Sequence, residues 1–191
     1  MSTVARAARE LREAAEIVDQ RRGLVATALG LLPDFALPAV RARLLRAAGC
    51  DIRKSAAILG RVHLVGPRDA ARNLRIGPDV IVGPDVTFCL DERITIGRGA
   101  SIGPRVMLYT ASHALGPETR RMARGVAAKP IVVEEGAWVG LAAIILPGVR
   151  LGRGCVVQAG AVVASDVAAN TFVAGNPAQV IDRLPERDAP V

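Results

Sequence analysis

Val133, Val139, Ile145, Leu151, Val157 and Val163 stand six residues apart without a slip. An α-helix would repeat its apolar positions about every 3.6 residues and a half-buried strand every second residue, so this period belongs to neither. It fits a parallel β-helix, in which each six-residue unit is one short side of a coil and three sides close a turn of about eighteen residues. Four residues after each large aliphatic comes a second inward position, which is small: Ala137, Ala143, Val149, Cys155, Ala161 and Val167. Between them lie Gly136, Gly148, Gly154 and Gly160, the residue type that a corner with positive φ selects. A run of β-hairpins would instead need turn signals every 8–12 residues or so.

The phase extends upstream through Ile96, Ile102 and Leu108, through Ile76, Val82 and Phe88, and back to Ile52, Ile58, Leu64 and Ala70. The register therefore runs from about residue 52 to 168 with two expected breaks. "LDERIT", residues 90–95, adds two residues. The stretch 109–130, "YTASHALGPETRRMARGVAAKP", lacks the alternation and reads as a loop expelled from the coil. Long loops on rigid scaffolds are where chemistry is commonly placed.

The first fifty residues differ. "STVARAARELREAAEIVDQRR" has the composition of an amphipathic helix, and an open coil end needs such a cover over its unpaired edge. Residues 1–50 are thus expected to form a helical cap, 51–184 the β-helix, and 185–191 a tail. The apolar run 23–32 is too short to span a bilayer, which takes about 20 apolar residues, and lies too far in for a signal peptide. Peripheral membrane contact is the alternative for that run, and it is not the expectation.

The net charge of +7 is almost wholly arginine, since Lys54 and Lys129 are the only lysines. Nucleic-acid binding is not expected, because the basic residues are scattered and an aromatic content of 3% leaves almost no platform for stacking bases. Cys50, Cys89 and Cys155 show no metal-ligand spacing and fit a reducing cytoplasm.

The repeats, together with "YTASHALGPETRR", "KPIVVEEGAWVGLAAIILPGVRLGRGCVVQAGAVVASDV" and "AGNPAQVI", resemble the hexapeptide-repeat acyltransferases, in particular their sugar O-acetyltransferase subgroup of maltose, galactoside and nodulation-factor enzymes. The resemblance covers about residues 76–184. It implies an all-β fold, a left-handed parallel β-helix, although right-handed crossovers are the general rule. It also implies direct transfer of an acetyl group from acetyl-CoA to a hydroxyl, with His113 as general base, in a homotrimer whose active sites lie between subunits. Imidazole suits that task because its pKa lies near cellular pH. His63 matches no motif and reads as a surface residue.

By the same resemblance the Leu141 N–H holds the thioester oxyanion, the Ala159 backbone holds the pantetheine arm, and Trp138 stands beside the catalytic histidine. Where the family carries basic residues for the CoA phosphates, this chain has Ser165, Gln179 and Asp182, with Arg183 one place out of step. Ser165, Gln179 and Arg183 are therefore the candidates for that end of the cosubstrate. The acceptor-side asparagine is replaced by "VGPDVT", leaving Asp85 and Asp91 as acceptor-side candidates. No metal is expected: a zinc carbonic anhydrase on this helix would need three histidine ligands, and the chain has two histidines. The competing reading is a scaffold that keeps the helix and has lost CoA binding.

Overall fold

The computed structural model describes residues 20–123 and 125–186. The expected amphipathic helix of the first twenty-odd residues falls mostly outside that range, as does most of the tail. From Asp51 onward the chain winds through about six turns of a parallel β-solenoid, preceded by two helices.

The solenoid has three faces. The first is built from Asp51–Ile52, Leu74–Ile76, Ile94–Ile96, Ile131–Val133 and Arg150–Leu151. Ala57–Ile58, Ile81–Val82, Ser101–Ile102, Trp138–Val139, Val156–Val157 and Thr171–Gly175 make the second, closed by the antiparallel return strand Ala178–Arg183. The third comprises Val62–Val65, Val86–Cys89, Met107–Tyr109, Ile144–Ile145 and Val162–Val163. Within each face the strands pair in parallel, with each residue above its counterpart in the previous coil, as Trp138 sits between Ser101 and Val156.

The six-residue period is visible in the core. Val133, Val139, Ile145, Leu151, Val157 and Val163 are all buried, and so are the small positions Ala137, Ala143, Val149, Cys155, Ala161 and Val167. Each large aliphatic removed from water in this way is worth about 1.5–3 kcal/mol. The corner glycines take the left-handed backbone expected of them, with φ of 68° at Gly136 and 72° at Gly160. A different set of glycines is required by stacking. A Cβ on Gly140 would lie 2.6 Å from the Ala159 nitrogen, and one on Gly103 would lie 2.8 Å from the Leu141 nitrogen. Only hydrogen fits where one coil rests on the next.

The two-residue break at 90–95 stands, and Leu90 is buried in that corner. One further break corrects the register read from sequence. Ala70 does not occupy a face: residues 66–73 leave the coil, ending in the 3-10 turn Ala70–Asn73, and Ile76 returns to the first face directly above Ile52. Ile76 stands 24 residues after Ile52, where a plain turn takes about eighteen, so the net insertion is one whole period and leaves the phase of the aliphatic positions unchanged.

The helices α1 (Gln20–Leu31) and α2 (Pro38–Ala47) cover the first coil. Pro38 starts α2, where a missing N–H costs nothing, and Gly49 ends it with φ of 106°. Val25, Leu29, Ala42 and Leu45 join the core of the solenoid. Arg41 is wholly buried and donates to the carbonyls of Leu29, Leu32, Pro33 and Ala36, which ties the C-terminal end of α1 to α2. No helix among the described residues is long and apolar enough to cross a membrane.

Candidate functional site

The loop at 109–130 leaves the coil after the third-face strand Met107–Tyr109 and re-enters on the first face at Ile131. It is a hairpin rather than an irregular excursion. Ala111 and Ser112 pair antiparallel with Ala128 and Ala127, and farther out Leu115 pairs with Met122. Between these two contacts the register slips by two residues, which places Gly125 in a bulge with φ of 91°. His113 lies opposite that bulge, and its Nδ1 is 2.7 Å from the Gly125 carbonyl oxygen. A carbonyl only accepts, so Nδ1 carries a proton in this contact, and in the neutral ring Nε2 is the acceptor, on an exposed side chain.

Asp91 belongs to the same edge of the coil. It follows the third-face strand one coil earlier, where its carboxylate accepts from the Cys89 thiol at 3.1 Å. Burial, and then that hydrogen bond, push the Cys89 thiol above its ordinary pKa. Thr110 ties the two coils together at the root of the hairpin, donating to the Cys89 carbonyl at 2.6 Å and accepting from the Glu92 N–H at 3.1 Å. The hairpin that carries His113 thus stands on a wholly buried polar anchor.

The other candidates stand elsewhere on the coil. Leu141 and Ala159 occupy the edge between the second and third faces, one directly above the other in a column that reads Pro84, Pro104, Leu141, Ala159. The first two have no N–H. The next two do, and neither N–H donates to an acceptor among the described residues. Both residues are exposed, so the column offers two unspent backbone donors to solvent. Asp85 lies on this same edge, next to Pro84, with its carboxylate 3.5 Å from Arg61 Nε and 3.5 Å from His63 Nε2.

Trp138 projects from the second face, 57% exposed. Gln179 and Arg183 lie on the exposed return strand, opposite Ala174 and Thr171. Ser165 is exposed beyond the last third-face strand, on the edge that bears the hairpin rather than the one that bears Ala159. Within one chain, then, His113, Asp91 and Ser165 share one edge, while Leu141, Ala159 and Asp85 share another. Sequence reasoning did not find Gly125 as the partner of His113, since a glycine twelve positions downstream carries no mark of it. It also passed over Arg61 and His63, whose proximity to Asp85 follows from coil stacking. Among the described residues no three His, Cys, Asp or Glu side chains converge as metal ligands.

Residues 130–165 match the family described as hexapeptide repeat of succinyl-transferase. The chain is 32% identical over 118 residues to a galactoside O-acetyltransferase of Lactococcus lactis, a match covering 61% of this chain and 56% of that one. It is 41% identical over 112 residues to nodulation protein L of Rhizobium leguminosarum, covering 59% and 58%. The matched stretch spans less than two thirds of the length of these curated relatives. Among solved structures, a hexapeptide-repeat-containing acetyltransferase from Vibrio cholerae superposes with a TM-score of 0.76 at 32% identity, covering 91% of this chain and 93% of that one. The same Vibrio protein has been solved in complex with acetyl coenzyme A. The coil of this chain matches the left-handed β-helix of such proteins.

Proposed function

The chain belongs to the hexapeptide-repeat acetyltransferases, and we propose that it moves an acetyl group from acetyl-CoA directly to a hydroxyl of a sugar, glycan or glycosylated small molecule, with His113 as general base. The observation that carries this reading is the bond from His113 Nδ1 to the Gly125 carbonyl, which leaves Nε2 as an unencumbered proton acceptor on an exposed hairpin. A hydroxyl is a poor nucleophile until its proton is taken as the new bond forms, and a preset tautomer is what that transfer needs.

In this mechanism Nε2 of His113 removes the acceptor's hydroxyl proton while the oxygen bonds to the acetyl carbonyl carbon. The Leu141 N–H donates to the oxyanion that develops, and an unspent backbone donor at that point needs no reorganisation. The tetrahedral species then collapses with cleavage of the C–S bond, and the departing CoA thiolate accepts from the imidazolium the proton that came from the acceptor hydroxyl. Ala159, one coil farther along, donates to the pantetheine arm. Trp138 lies beside the donor, and Ser165, Gln179 and Arg183 serve its phosphate end. Asp85 and Asp91 serve the acceptor.

Because His113 and Leu141 occupy different edges of one chain, the site requires a neighbouring copy. The hairpin of one subunit reaches the second–third edge of the next, and the assembly closes as a homotrimer. The exposed apolar residues of the hairpin, Leu115 and Met122, supply the contact. An active monomer in sedimentation and assay would overturn this part.

The test is release of CoA thiol from acetyl-CoA over a panel of hydroxylated sugars and glycosides, comparing the wild type with His113→Ala. Acceptor-dependent release that falls by about 100-fold or more is the scale of a lost general base. Absence of release with every acceptor, together with no acetyl-CoA binding in calorimetry, favours the scaffold reading.

A further inference from the structure

The basic residues are spread along the chain, but the acidic ones are not. Residues 76–191 carry eleven of each sign, whereas residues 20–75 carry eleven arginines and lysines against three aspartates. An excess of eight, larger than the +7 of the whole chain, therefore belongs to the two helices and the first turn of the solenoid. α2 lies against Asp51–Ile52 and Ala57–Ile58, and α1 against Val62–Val65, so among the described residues their outward sides close that end of the coil. Arg43, Arg53, Lys54 and Arg68 are exposed there and make no ion pair among the described residues.

The outward sides themselves are apolar. Leu24 and Leu31, seven residues apart on one side of α1, are exposed, and so are Leu37 and Val40 at the start of α2. Between the helices Phe35 is 69% exposed. Neither helix contains an acidic residue. The one acid of the connection, Asp34, is turned down onto the coil: its Oδ1 lies 3.4 Å from the Arg61 backbone nitrogen, and a Cβ on Gly60 would come 2.7 Å from its carboxylate.

Phe35 and Leu37 also hold an uncommon backbone, with φ of 62° and 52°. Bulky L residues rarely adopt that left-handed region, and glycine enters it freely, so what these two positions retain against strain is an apolar side chain. The surroundings impose the conformation. The Phe35 N–H donates to the Leu59 carbonyl, and Arg41 gathers the carbonyls of Leu29, Leu32, Pro33 and Ala36. The connection is pinned to the coil by its backbone while its apolar side chains face outward.

An apolar surface rimmed by unpaired cations complements an anionic bilayer, where buried apolar area and attraction to acidic headgroups add. Nucleic acid would complement the charge but not the aliphatic side chains, and the end offers one exposed aromatic ring, Phe35, on which a base could stack. The expectation for residues 23–32 weighed that run by itself. Folding sets Phe35, Leu37 and Val40 beside it.

We propose that the helical end of this protein is a peripheral docking surface for an anionic phospholipid bilayer. Leu24, Leu31, Phe35, Leu37 and Val40 enter the boundary between headgroups and acyl chains, and Arg43, Arg53, Lys54 and Arg68 meet the anionic headgroups. The contact is superficial, since no described helix is long and apolar enough to cross. It does not rest on the transferase reading.

Co-sedimentation of the full chain with phosphatidylserine-rich and with pure phosphatidylcholine vesicles tests this, on the wild type, Phe35→Gly/Leu37→Gly, Arg43→Gln/Lys54→Gln and Ile181→Ser. Glycine suits the left-handed backbone and both replaced side chains are exposed, so the first variant keeps the fold. Ile181, exposed on the return strand at the other end of the coil, is the control. The wild type is expected to pellet with the phosphatidylserine-rich vesicles and far less with phosphatidylcholine. Affinity should fall by about tenfold or more in each double variant and stay unchanged in Ile181→Ser. No binding of the wild type to anionic vesicles overturns the proposal and leaves the patch to residues 1–19 or to a second copy of the chain. Binding that the glutamine variant loses and the glycine variant keeps overturns it in favour of a nucleic-acid or other polyanion site. A loss as large in Ile181→Ser overturns it as well, because any exposed aliphatic would then suffice.

Discussion

The His113 imidazole and the Gly125 carbonyl lie 2.7 Å apart across a bulge in the expelled hairpin, and this contact places the ring proton on Nδ1. It exists because the hairpin register slips by two residues between its inner pair, Ser112 with Ala127, and its outer pair, Leu115 with Met122. With both strands in one register the carbonyl would face the opposite strand, and His113 could carry its proton on either nitrogen.

Gly125→Ala is expected to lower kcat by about tenfold or more, less than the roughly 100-fold that losing a general base outright costs, with little change in KM for acetyl-CoA. The added Cβ meets nothing within 4 Å, so the effect acts through the φ of 91° that alanine resists. Gly136→Ala is the control. It has φ of 68°, equally open space, and no place in the site. Both variants should lose about 1–2 kcal/mol of stability, the cost of a left-handed alanine, and only Gly125→Ala should lose turnover. Equal turnover in the two variants would show that the carbonyl does not orient the histidine.

Arg41→Met is expected to destabilise the protein by about 3 kcal/mol, because four carbonyls lose the guanidinium, that of Leu29 in a buried setting and those of Leu32, Pro33 and Ala36 in part-buried ones. Arg41→Lys should not rescue it, since an ammonium cannot reproduce the planar fork. Thermal unfolding reads the loss. A melting temperature unchanged in Arg41→Met would mean that α1 is held by its apolar contacts alone.

Gly140→Ala should be far more damaging than Gly136→Ala, although both add one methyl. The Gly140 Cβ would lie 2.6 Å from the Ala159 nitrogen, whereas nothing lies near that of Gly136. The two coils would have to part, taking the Leu141 and Ala159 donors out of line. Urea unfolding and acetyl-CoA binding together check this. A Gly140→Ala protein that matches Gly136→Ala in both would refute the close stacking.

Cys155 makes stability fall at alkaline pH. Burial, with a smaller contribution from Glu134, pushes its thiol up to about 12, whereas a thiol in an unfolded chain titrates near about 8.5. Between those values the unfolded chain gives up the proton and the folded one retains it. The contribution is therefore complete below the unfolded value and is lost as pH rises toward the folded one. Urea unfolding at a series of pH values should show a shallower alkaline decline in Cys155→Ala than in the wild type. Parallel declines would refute the assignment.

The coil itself was legible in advance because each side of it is specified by residues close in sequence: an inward aliphatic, a small partner four places on, and a glycine at the corner. The third break escaped notice for a reason specific to periodic signals. The insertion between Leu64 and Ile76 is one full period long, so Ala70 falls on the aliphatic phase while sitting in a 3-10 turn. The two extra residues at 90–95 and the long loop disturbed the phase and were visible. The flanking motif marks His113 as a candidate. Nothing marks its contact with Gly125, since nothing local distinguishes a bulge carbonyl from the others in the loop.

What the sequence by itself determined is the one-dimensional object: a three-sided parallel coil, its inward residues, its glycine corners and the place where a loop is expelled. Only the tertiary structure decided which edge each candidate residue occupies, which imidazole nitrogen faces the Gly125 carbonyl, and that Asp34, Arg61, His63 and Asp85 meet beneath α1. The physical reason is range. A repeat is stabilised by contacts within a unit and with the coil above or below, which sequence spacing records. Arg41 reaching back to Leu29, or Asp34 resting on Gly60, depends on how a non-repeating segment docks against the finished coil, and no spacing encodes that.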